Sequence, residues 1–120
     1  MKPLRILLVE DDALIAMVLG ELLTAMGHEV CDTASTQAGA VASASHHRPD
    51  MMIVDGGLRQ GSGIGAVDEI LLSGPLPYVF VSGDTGQIKA RRPEAAVLRK
   101  PFRLADLSGA INTAFAGVAA

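Results

Sequence analysis

The sequence contains no Trp, and aromatic residues make up only 3% of its 120 positions. A core without them must be assembled from Val, Ile, Leu, Met and Ala, which suits an α/β protein better than an aromatic-rich binding platform. The single cysteine, Cys31, has no partner for an internal disulfide and reads as an inert strand residue. Positive charge is also scarce: ten Lys and Arg stand against thirteen Asp and Glu, for a net charge of −3 with His neutral. No basic stripe is long enough to follow a phosphate backbone, which argues against nucleic acid as a direct partner. Long apolar runs are missing too, and nothing approaches the roughly 20 residues that cross a bilayer. The start, MKPLRILLVEDD, has one short apolar run broken by acids rather than a signal peptide's longer one. The expectation is a cytoplasmic protein with no membrane segment.

What is present is a regular alternation of short apolar runs with helical patterns. The length fits one domain, residues 1–120, without linker or internal repeat. Residues 4–9 (LRILLV) predict a strand. Leu14, Ile15, Val18, Leu19, Leu22, Leu23 and Met26 then recur at spacings of three and four, the stripe of an amphipathic helix. Asp11 or Asp12 suits its N-cap, and Gly27 stands where a left-handed residue ends a helix. Residues 28–34 predict a second strand, and 36–45 an Ala-rich helix capped by Ser35. Residues 51–54 (MMIV) lead into Asp55 as a third strand, followed by a helix over GIGAVDEILLSG with Val67, Ile70 and Leu71 apolar. Residues 78–82 (YVFVS) form a fourth strand, and the next segment has room for a helix of about two turns. A fifth strand over 97–99 and a helix over 105–116, with Leu107, Ile111 and Phe115 on one side, complete the chain. Five strands alternating with five helices imply a doubly wound, flavodoxin-like (βα)5 fold. Its parallel sheet is expected in the order 2-1-3-4-5.

In such a sheet every strand ends on the same edge, where ligands bind. Glu10, Asp11 and Asp12 follow the first strand, Asp55 ends the third, Ser82 the fourth, and Lys100 follows the fifth. Carboxylates gathered there repel; at an effective dielectric of 20, two unit charges 4 Å apart cost about 4 kcal/mol. Lys100 alone does not balance them, and an all-oxygen donor set of this kind favours Mg²⁺. A carboxylate beside Mg²⁺, with a hydroxyl and an ammonium opposite, is equipment for phosphoryl transfer to oxygen. Asp55, alone at the end of the central strand, is the best nucleophile, while Glu10 and Asp11 suit the metal. Helix capping is the plain alternative for the acid pair, as an ordinary turn is for Ser82 and Gly83. His46 and His47, before Pro49, read as a surface turn rather than a metal pair.

With LLVEDD, IVD followed by GSG, VFVSG and RKPF in this order, the sequence resembles the receiver domain of two-component response regulators over nearly its whole length. The resemblance implies that Glu10 and Asp11 bind Mg²⁺, that Asp12 is an N-cap, and that Asp55 is the phospho-acceptor. It also implies a metal-binding backbone carbonyl at Gly57, a switch hydroxyl at Ser82, a phosphate-binding Lys100 and a cis Lys100–Pro101 bond. Four departures stand out. Arg59 replaces the usual loop Pro, Val97 replaces the usual switch aromatic, the fourth helix is short, and Gly57 and Asp84 occupy the positions that tune hydrolysis.

The implied function is a signalling phosphoacceptor that catalyses only its own phosphorylation and dephosphorylation. Its phosphoryl group would come from a sensor histidine kinase or a histidine phosphotransfer protein. With no output domain after Ala120, the signal is expected to leave by contact with a downstream protein, or the chain to serve as a phosphate shuttle or sink. One alternative is a receiver-like interaction module that works without phosphorylation. Another is an aspartate-nucleophile phosphatase of the haloacid dehalogenase type, which carries D-x-D after its first strand and a cap insertion; this sequence has E-D-D and no cap.

Overall fold

The computed structural model describes the backbone of residues 2–119 and the side chains of residues 2–116. Strands and helices alternate: β1 (Arg5–Val9), α1 (Ala13–Ala25), β2 (Glu29–Ala34), α2 (Gln37–His47), β3 (Met51–Asp55), α3 (Gly63–Leu71), β4 (Tyr78–Ser82), α4 (Gly86–Arg91), β5 (Ala96–Arg99) and α5 (Leu104–Ala119). The sheet is parallel in the order β2-β1-β3-β4-β5, as the alternation predicts.

The period of two along each strand sorts the core into two layers. Leu7, Val9, Met52, Val54 and Phe80 face one side, against Ala40 of α2, Ile64, Val67 and Ile70 of α3, and Ile88 of α4. Ile6, Leu8, Met51, Ile53, Val79 and Val81 face the other, against Leu19 and Leu23 of α1 and Leu107 and Ile111 of α5. Each large aliphatic side chain buried this way contributes roughly 1.5–3 kcal/mol. Runs such as MMIV are apolar throughout because both faces of the sheet are covered. Among the described residues, no helix is long and apolar enough to cross a membrane.

Local details refine the sequence reading. Asp12, not Asp11, caps α1, accepting the N–H groups of Leu14 and Ile15 at 2.9 and 3.2 Å. The cap of α2 is Thr36 rather than Ser35. Thr36 has extended backbone and its hydroxyl accepts the Gly39 N–H at 3.0 Å, so the helix begins one residue later and runs on to His47. The expected stripe on α1 is only partly buried: Leu19 and Leu23 are covered, while Leu14 and Val18 are 65% and 46% exposed. α1 lies over β1 and the outer strand β2, so the sheet covers a narrower arc of it than the apolar pattern would allow. Gly27 does take a positive φ, +91°, past the helix end, and the Lys100–Pro101 bond is cis.

Two features mark the β1–β2 pair. Buried His28 accepts the Leu4 N–H on Nδ1 at 3.1 Å, fastening the start of β2 to the start of β1. Further along, the register slips by one residue: Ile6 pairs with Val30 but Leu7 with Asp32, leaving Cys31 without an opposite number.

Candidate functional site

β1 and β3 are neighbours, so their C-terminal ends bring the acids together. One carboxylate oxygen from each of Glu10, Asp11 and Asp55 lies within 4.8 Å of the others. Glu10 is 3% exposed, its backbone N–H bonded to the Ala34 carbonyl at 2.9 Å. Its Oε2 accepts the Asp12 N–H at 3.1 Å, while the buried Oε1 has no hydrogen-bond partner. Lys100 reaches over from the end of β5, its Nζ 3.8 Å from Glu10 Oε1 and 3.9 Å from Asp55 Oδ2. The Lys100 N–H, bonded to the Ser82 carbonyl at 2.9 Å, holds that reach in place.

One ammonium among three acids leaves the cluster short of positive charge. Burial, reinforced by the Asp55 carboxylate beside it, pushes the Glu10 carboxyl from 4.5 up to about 7. Two ionised carboxylates cannot hydrogen-bond to each other, so Oε1 gains no partner from its acidic neighbours. A hard divalent cation would supply one. A buried, unpartnered carboxylate oxygen beside two other carboxylates is a donor set that fits Mg²⁺.

The loop after Asp55 is shaped by close approaches. Asp55 Oδ1 accepts the Gly57 N–H at 3.0 Å. A Cβ on Gly56 would stand 2.8 Å from Ile88 Cδ1, so α4 packs directly over the residue next to Asp55. A Cβ on Gly63 would fall 2.0 Å from the Asp55 carbonyl oxygen, so the start of α3 can press against Asp55 only with glycine there. Position 57, by contrast, is open, with only Asp55 Oδ1 at 3.9 Å from an added Cβ.

Ser82 sits on the same rim but is turned aside. Its hydroxyl donates to the Asp84 carbonyl at 2.7 Å and accepts the Asp84 N–H at 3.1 Å. The structure therefore gathers Glu10, Asp11, Asp55 and Lys100, with Gly57 alongside, and leaves the Ser82 hydroxyl engaged elsewhere. Val97 is half-buried against the α2–α4 layer. A cleft of about 530 Å³ lies at the opposite edge of the sheet, between α2 and α3, lined by Val41, Ala44, Ile70 and Leu76.

Two contacts were not visible in the sequence. The Arg59 N–H donates to Asp11 Oδ2 at 2.7 Å, with the guanidinium Nε 3.6 Å away. Gln37, at the start of α2, accepts the Ser62 N–H at 2.8 Å and donates to Glu69 at 2.7 Å, tying the loop before α3 to α2. Arg59 stood out only as a replaced Pro, and nothing in the sequence pattern singled out Gln37.

Known proteins place this arrangement. The family model described as the response regulator receiver domain matches residues 6–112. The phyllosphere-induced regulator PhyR of Methylorubrum extorquens is 38% identical over 114 residues, which are 92% of this chain and 43% of that protein. The chain thus spans less than half the length of that relative. The solution structure of the receiver domain of PhyR from Erythrobacter litoralis superposes with a TM-score of 0.87 at 28% identity, covering 100% of this chain and 95% of that one. The receiver domain of a sensor histidine kinase from Pseudomonas aeruginosa PAO1, solved with a magnesium ion coordinated in its active-site cleft, gives a TM-score of 0.79 at 25% identity, covering 92% and 96%. From the second residue of β1 to the middle of α5, this chain belongs to the family of response regulator receiver domains of two-component signalling.

Proposed function

We propose that residues 1–120 work as one receiver unit in which Asp55 accepts a phosphoryl group from the phosphohistidine of a sensor kinase or histidine phosphotransfer protein. An Asp55 carboxylate oxygen forms the new P–O bond as the P–N bond breaks. The electron pair stays on the imidazole nitrogen, which is protonated from solvent. Lys100, within 4 Å of Asp55 already, neutralises oxygens of the transferring group. Glu10, Asp11, Asp55 and the Gly57 carbonyl would hold Mg²⁺, which when bound supplies further positive charge to that group. The carrying observation is the buried, unpartnered Glu10 Oε1 on the rim shared by Asp11, Asp55 and Lys100. The magnesium in the P. aeruginosa relative supports the same choice of ion.

In this reading the Ser82 hydroxyl leaves Asp84 and donates to the phosphoryl group. That motion trades two local bonds for one charge-assisted bond. The chain's only chemistry is then on its own Asp55, and its signal leaves by protein contact or by passing the phosphoryl group on. The test is incubation with Mg²⁺ and a small acyl phosphate, followed by intact mass. One phosphoryl adduct is expected on wild type and none on Asp55→Asn. An unmodified but folded wild type would instead support a phosphorylation-independent interaction module, the reading favoured by Val97, through which an aromatic switch cannot run.

A further inference from the structure

Of the three acids, Asp11 is the one already supplied with positive charge from outside the cluster. Glu10 and Asp55 face Lys100, whereas Asp11 faces the loop after β3. There the Arg59 N–H holds Asp11 Oδ2 at 2.7 Å, and Nε of the same residue stands 3.6 Å from that oxygen. The proline usual in this loop could provide neither group, having no N–H and no charge.

The two contacts act differently. The backbone N–H fixes Oδ2, and one Asp11 carboxylate oxygen stays within 4.8 Å of oxygens of Glu10 and Asp55. The guanidinium places a full positive charge beside a carboxylate that a divalent cation would need. Asp11 is largely covered, with 12% of its side chain exposed, while the Arg59 side chain is 79% exposed and tethered only by its stem. Such a pair adds little to folding stability, because solvent screens the outer partner. It can still repel an incoming dication, because the repulsion scales with the product of the charges.

We propose that Arg59 is a tethered cation that competes with Mg²⁺ for Asp11 and so sets the metal concentration at which this receiver becomes competent to accept phosphate. The inference rests on the reading of Glu10, Asp11 and Asp55 as the metal-holding acids. When Mg²⁺ enters, the guanidinium swings into solvent or toward the anionic donor, while the backbone N–H stays on Oδ2. Arg59 is in this sense a positioning residue: it acts on the metal through Asp11.

The experiment is a calorimetric Mg²⁺ titration of the whole chain as wild type, Arg59→Ala, Arg59→Lys and Lys2→Ala. Lys2 precedes β1 at the opposite edge of the sheet, so it controls for net charge. Arg59→Ala is expected to bind Mg²⁺ about three- to tenfold more tightly at low ionic strength, with the gain shrinking in about 0.5 M KCl. Arg59→Lys should stay near wild type, Lys2→Ala should not change, and none should shift the thermal midpoint. Unchanged or weaker binding by Arg59→Ala overturns the proposal. So does an equal gain in Lys2→Ala, or no measurable Mg²⁺ binding by any form. Acyl phosphate labelling of the same samples separates the two readings. Wild type labelled on Asp55 with no affinity gain in Arg59→Ala defeats only the role of Arg59. A clear gain with no label on Asp55 supports that role and defeats the phosphoacceptor reading.

Discussion

The two sides of the functional rim are built on different principles. Where β1, β3 and β5 end, the charges of Glu10, Asp11, Asp55 and Lys100 are already gathered. Where β4 ends, Ser82 is occupied by Asp84 and the α4 that follows is six residues long, while Val97 of β5, opposite Phe80, offers no ring to turn inward. That short helix is held by ion pairs instead: Asp68 of α3 takes Arg92 at 2.6 Å and Arg91 at 2.9 Å, and Arg92 also stands 5.9 Å from the Tyr78 ring centre. In the proposed reading, the acceptor side answers the charge demands of phosphoryl transfer.

The sharpest way to break this comparison is at Lys100. Lys100→Ala should slow labelling by acyl phosphate about 100-fold, the usual loss when one charge-stabilising donor is removed. A loss of less than a few-fold would mean that the acceptor side is not prebuilt by its charges. Next comes Gly63→Ala, whose methyl would meet the Asp55 carbonyl. It should destabilise the fold by about 1–3 kcal/mol, as overpacking does, and slow labelling by displacing Asp55. Chemical denaturation and labelling rates measured together would show both effects or refute the contact.

A third prediction concerns pH. Folded Glu10 holds its proton up to about 7 against 4.5 for an ordinary glutamate, so its contribution is full below about 4.5 and is lost as pH rises through 7. Metal-free wild type should therefore lose stability relative to Glu10→Gln between about pH 5 and pH 8, and millimolar Mg²⁺ should reverse the loss. His28, pushed below 6.5 by burial, opposes this trend by costing stability as pH falls, but it is common to both proteins and cancels in their difference. The smallest effect is expected on the other side. Asp68→Ala should cost about 1 kcal/mol, because a carboxylate this exposed is screened even when two arginines hold it. It should speed hydrogen exchange across α4 while leaving the acyl phosphate rate unchanged. A fall in that rate as large as that of Lys100→Ala would erase the distinction between the two sides.

The strand ends were legible in the sequence because parallel topology puts every strand's last residue on one edge, so Glu10, Asp55 and Lys100 could be placed together by order alone. The layers of the core were legible for a similar reason: alternation along each strand decides its faces. Partners chosen by loops were not legible. No spacing rule joins Arg59 to Asp11 or Gln37 to Ser62, since each contact depends on how a turn folds back in space. The rotamer of Ser82 was hidden too, because a hydroxyl at a strand end serves a local turn or a distant ligand equally well. Nor was the exposure of Leu14 and Val18 legible, because an apolar stripe gives the helix a direction but not the width of the surface beneath it.

The one-residue slip at Cys31 has a consequence on the far side of β2. With an extra residue in the strand, Cys31 packs toward α2, and Asp32 bonds to Ser43 on that same helix. Bulges of this kind strengthen local twist and break the even rhythm of free backbone groups along an edge. β2 is the outermost strand, and an unbroken edge there would be a template for pairing with another copy's strand. The irregularity thus makes the β2 edge a poorer template for strand addition.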